Sequence, residues 1–80
     1  MQTVEFNLNT EYVELCNLLK LVGLADSGGR GKTMVAEGLV SVDGHIEYRK
    51  TAKIRIGQIV QCQDITIHIL ANNSNQADVQ

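Results

Sequence analysis

Residues 18–44, LLKLVGLADSGGRGKTMVAEGLVSVDG, read as the end of one helix, a tight turn, a second short helix opening on glycines, and a β-hairpin. Leu15, Leu18, Leu19 and Val22 recur at the i, i+3, i+4, i+7 spacing that puts apolar side chains on one helix face. Gly23 stands where a left-handed C-cap is wanted. Ser27 offers an N-cap hydroxyl, and Gly28, Gly29, Arg30, Gly31 and Lys32 form the turn that follows. Such a turn presents free backbone N–H groups at the positive end of a helix dipole, which attracts anions. Its glycines let a ligand approach that backbone closely. Gly38 closes the second helix, and Val40, Ser41 and Val42 alternate into Asp43-Gly44, a hairpin-turn signal. With Arg30 and Lys32 beside the helix start, the stretch points to a nucleic-acid backbone.

Upstream, Val4, Phe6 and Leu8 alternate with polar residues, a short strand that needs a partner such as the C-terminal strand. The first helix is expected over residues 11–22, capped by Thr10, with Glu11 and Glu14 in its first turn. The second is expected over residues 28–37, with Gly31, Met34 and Val35 turned toward the first. Downstream, residues 45–48 form the return strand of the hairpin. In Lys53-Ile54-Arg55-Ile56 the two cations should face one way and the two isoleucines the other, placing the cations about 6.6 Å apart, a phosphate-like spacing. Gly57-Gln58 turns the chain into a strand over 59–62, and Asp64 marks a turn before the alternating Ile65, Ile67 and Ile69. Residues 1–71 thus read as a single domain. Residues 72–80, NNSNQADVQ, read as a disordered polar tail.

As a set, Leu18, Leu19, Lys20, Gly23, Ser27, Gly28, Gly29, Arg30, Lys32, Glu37, Gly38, Val40, Val42, Gly44, Arg49, Lys53, Gly57 and Val60 carry a resemblance to a known family. The stretch resembles the small RNA-binding domain named after the fourth protein of the small ribosomal subunit, the S-four or alpha-L domain, in a stand-alone bacterial form. The resemblance implies an α+β fold, the alpha-L RNA-binding motif, with two short helices packed on a small antiparallel sheet of four to five strands. It also implies a binding surface at the second-helix start and the adjacent β-hairpin. The chain departs from the family at Gly31, where alanine is more usual, at Asp43, where asparagine is frequent, and at Gln58, where an acid is common. None of these departures removes a basic residue.

The charge distribution agrees with that reading. The 80-residue chain has a net charge of -2, yet all seven Lys and Arg lie between Lys20 and Arg55. Four acids share that segment and five lie on the flanks, so a basic centre sits between acidic ends. The expected RNA-binding residues are Lys20, Ser27, Gly28, Gly29, Arg30, Lys32, Arg49, Lys50, Lys53 and Arg55. Few aromatics are available to stack on bases, which favours structured RNA, ribosomal or transfer RNA among the candidates, read through its backbone.

Other chemistries find little support. GGRGKT lacks the glycine that a nucleotide-hydrolase loop needs at position 26, where Asp26 stands, and a dinucleotide fingerprint fails at Met34. Ser27, His45 and His68 form no catalytic pair that anything orients. Cys16 and Cys62 have no metal-ligand spacing and read as buried free thiols. No apolar run reaches membrane length, and no signal segment opens the chain. The sequence therefore predicts a non-catalytic, cytoplasmic, monomeric RNA-binding protein without cofactor, metal, membrane or small-molecule substrate. The alternative is a protein-interaction or assembly adaptor of the same fold that uses its acidic flanks.

Overall fold

The computed structural model describes residues 2–72. Its strands and helices run β1 (Gln2–Leu8), β2 (Val13–Glu14), α1 (Leu15–Leu21), α2 (Gly28–Ala36), β3 (Val40–Val42), β4 (His45–Ile46), β5 (Lys53–Ile54), β6 (Ile59–Cys62) and β7 (Ile65–Ala71). Five strands form one sheet in the order β1-β7-β6-β3-β4, and β2 pairs with β5 apart from it. The larger sheet is antiparallel except at β1, which runs parallel to β7 with Val4 opposite Ile67 and Phe6 opposite Ile69. The expected partnership of the two outer segments is therefore present, in the parallel sense. Residues 73–80, most of the stretch expected as a tail, lie outside the described residues.

Alternation builds the core. Val60 and Cys62 of β6, Ile67 and Ile69 of β7 and Val40 of β3 all point to one face and are buried. Leu15, Leu18 and Leu19 of α1 meet Met34 and Val35 of α2 in the same cluster. Each such side chain removed from water contributes about 1.5–3 kcal/mol. That burial must offset the three glycines of α2, each costing about 1 kcal/mol against alanine in a helix. Gly31 is buried on the α1 side, as its position beside Met34 and Val35 predicted.

Several boundaries differ from the sequence reading, the start of α1 most of all. Residues 11–14 are not helical: Val13 pairs with Ile54 and Glu14 with Lys53, so the chain enters α1 from a strand. Thr10 caps nothing, and its hydroxyl donates to the carbonyl of Tyr12. The amides of Leu15 and Cys16 donate instead to the carbonyls of Ala52 and Lys50, at 2.9 and 3.0 Å. A distant loop thus supplies the acceptors that a helix start requires. Likewise the strand expected at 53–56 ends at Ile54, and Ile56 is exposed rather than turned inward.

The hairpin is as expected at its turn. Asp43 and Gly44 both adopt positive φ, 51° and 88°, the pattern of a tight two-residue turn whose twist suits the flanking strands. Its return strand is short, ending at Ile46 rather than at Tyr48. Among the described residues, no helix is long and apolar enough to cross a membrane.

Candidate nucleic-acid interface

The start of α2 is built as its sequence implies. Ser27 is extended, and its hydroxyl oxygen accepts the amide of Arg30 at 3.1 Å. The amide of Gly31 donates to the Ser27 carbonyl, while those of Gly28 and Gly29 precede any intrahelical acceptor. A β-carbon at Gly28 would meet nothing within 4 Å, and one at Gly29 only the Ser27 hydroxyl at 3.9 Å. The fold itself does not demand glycine at these two positions.

An open cleft of about 760 Å³ is lined by Lys32, the residue that α2 contributes, with Arg49, Lys50, Lys53, Tyr48, Thr51 and Ala52. The carbonyls of Lys50 and Ala52 that receive the α1 amides fix the backbone of its wall. The same two bonds therefore start α1 and anchor a basic loop at its first turn. Of the sequence-predicted residues, Lys32, Arg49, Lys50 and Lys53 come together here. Arg30 is exposed on the first turn of α2 outside the lining, and Lys20 is exposed in the last turn of α1. Arg55 turns to Glu11, 3.4 Å away, and lies 5.6 Å from the Tyr12 ring centroid.

Individual cations are held in place. The ammonium of Lys53 sits 5.0 Å from the centroid of Tyr12, a cation–π contact that steadies it at the cleft edge. The guanidinium of Arg49 donates to both carboxylate oxygens of Glu47, at 3.0 and 3.2 Å, and its backbone amide adds a third bond at 3.0 Å. Those bonds hold the Glu47 carboxyl below its ordinary range and raise the Arg49 guanidinium above its own. Glu47 therefore removes part of the positive charge near the cleft while fixing the direction of one of its cations.

Sequence reasoning passed over Tyr48, Thr51 and Tyr12. The signal for Tyr48 was its place directly before Arg49-Lys50. The structure leaves it 62 % exposed, so an aromatic face is available where few were expected. Tyr12 carried no local signal, because its cations arrive from residues 53 and 55 by way of the β2–β5 pairing.

Residues 6–70 match the profile of the S4 domain family. The chain is 47 % identical over 60 residues to "Putative RNA-binding protein YbcJ" of Escherichia coli (strain K12), covering 75 % of this chain and 86 % of that protein. The same identity and coverage hold for "Uncharacterized protein YbcJ" of Shigella flexneri. The solution structure of E. coli YbcJ, described as revealing an alphaL motif involved in RNA binding, matches with a TM-score of 0.62 and 42 % identity over 86 % of each chain.

Proposed function

The chain belongs to the S4 domain family, and from that premise we propose that it is a non-catalytic, cytoplasmic RNA-binding protein. It holds the phosphate backbone of structured RNA between the start of α2 and the loop that follows the β3–β4 hairpin. The observation that carries this reading is the convergence of Lys32, from one helix, with Arg49, Lys50 and Lys53, from a loop distant in sequence, on a single cleft. Ammonium and guanidinium groups neutralise phosphates, and the first-turn amides of α2 donate to phosphate oxygens. The unneeded glycines at 28 and 29 fit the same account, since a ligand backbone can approach where no side chain stands. The name of the E. coli relative and the description of its solution structure support RNA binding as such.

Fluorescence anisotropy with a labelled RNA hairpin, repeated across a potassium chloride series, tests the proposal. Four phosphate contacts predict a log–log slope of about -3, from roughly 0.7–0.9 per neutralised phosphate. No binding at low salt, or binding indifferent to salt, from a folded protein would overturn it.

A further inference from the structure

Tyr48 is the feature of the cleft that phosphate binding does not use. Its ring rests on the backbone beyond α2: a β-carbon at Gly38 would lie 3.2 Å from Cε1 and 3.3 Å from the hydroxyl oxygen. Gly38 has φ of 77°, a conformation that itself favours glycine, so the seat of the ring is set by the backbone. Yet the residue remains 62 % exposed. Tyr12 offers no equivalent face, being engaged by Lys53 and Arg55. Phe6 is half-buried against the core. A seated, water-exposed ring among Lys32, Arg49, Lys50 and Lys53 combines the two parts of a single-nucleotide pocket. These are a π-face for a base and cations for the phosphates on either side of it.

We infer that Tyr48 stacks an unpaired base, so that the preferred ligand is a helical RNA bearing a bulged or looped-out nucleotide at the point where its backbone crosses the cleft. This inference rests on the RNA reading above and narrows its substrate class. A base held inside a continuous duplex has both faces covered by its neighbours. A bulged base has a face to give, and aromatic stacking of this kind changes affinity about 5- to 150-fold.

The test uses two RNA hairpins with the same loop and the same paired stem, one of which carries a single additional, bulged 2-aminopurine in the stem. The parent protein should bind the bulged hairpin at least about 5-fold more tightly, with quenching of the 2-aminopurine fluorescence as it stacks. Tyr48→Phe should keep both effects. Tyr48→Leu, which keeps bulk beside Gly38, should lose the quenching and bind the two hairpins with equal affinity. Equal affinity of the parent for both hairpins overturns the inference and leaves the phosphate reading standing. So does a Tyr48→Leu protein that retains the preference. Failure of the folded parent to bind either hairpin overturns both.

Discussion

A β-carbon added to Gly31 would stand 2.5 Å from the backbone oxygen of Cys16, so α1 and α2 approach to a distance that only glycine permits. The obstacle is main chain, which cannot swing aside as a side chain would. Alanine gains about 1 kcal/mol of helix propensity, but overpacking costs about 1–3 kcal/mol and leucine more than alanine. Gly31→Ala should lower the melting temperature by a few degrees and Gly31→Leu by about 10 °C or more, read by circular dichroism. An unchanged midpoint for Gly31→Leu would refute the close approach.

Gly28 and Gly29 should behave in the opposite way. Their β-carbons would enter open space, so Gly28→Ala with Gly29→Ala should hold or raise the melting temperature. The same pair should weaken RNA binding several-fold by keeping phosphates off the helix start. Parent-like affinity in the double variant would mean that no ligand comes close there.

Charge removal inside the cleft should show in the salt slope. Lys32→Ala with Lys53→Ala should flatten it by roughly 1.4–1.8, since each phosphate contact accounts for about 0.7–0.9. Both side chains are exposed, so the fold should survive. Arg55→Ala removes a cation already paired with Glu11 and should change the slope by less. A larger effect from Arg55 than from the pair would move the binding surface to the Tyr12 side.

Asp43 and Gln58, both departures from the family's usual residues, answer one another. The Asp43 carboxylate accepts the Ile59 amide at 2.9 Å and the Gln58 side-chain amide at 3.2 Å, and Gln58 in turn accepts the Arg55 amide at 2.8 Å. The Ile59 bond first, then that of Gln58, holds the Asp43 carboxyl below its ordinary value of 3.8. A depressed folded-state value stabilises fully above the unfolded one and is lost as pH falls through the folded one. The parent should therefore lose stability below about pH 4 more steeply than Asp43→Asn does. At neutral pH, Asp43→Asn sets two NH2 groups face to face and should lower the melting temperature. Adding Gln58→Glu restores a donor–acceptor pair and should recover it. A double variant no better than the single one would disprove the coupling.

Cys16 and Cys62 are both buried, and burial pushes the Cys62 thiol up. Reaction requires the thiolate at an accessible sulfur. Ellman's reagent should therefore find no prompt thiol in the native protein and both in urea. A fast-reacting native cysteine would contradict the packing of α1 or β6.

What could be read in the sequence follows how local its causes are. The Ser27 cap, the Asp43-Gly44 turn, the buried face of α2 and the alternation of β6 and β7 each depend on neighbours a few positions apart. The start of α1 does not. Residues 11–14 have a helical pattern, but β5 claims Val13 and Glu14, and the acceptors for the helix come from Lys50 and Ala52. The cleft had the same limit. Lys32, Arg49 and Lys53 were legible as cations, while the loop that brings them together, with Tyr48 beside them, follows from those long-range bonds.

The parallel alignment of β1 with β7 also sets an order of assembly. Hairpins such as β3–β4 and β6–β7 close across two residues and can form as soon as both arms exist. β1 must instead close a loop holding both helices and every other strand, the kind of contact that slows folding. On the ribosome, Val4 and Phe6 emerge well before Ile67 and Ile69 are made to receive them. Until then β1 lacks its partner, and exposed strand edges are prone to aggregate. Among the described strands, β1 has the partner that lies farthest along the chain.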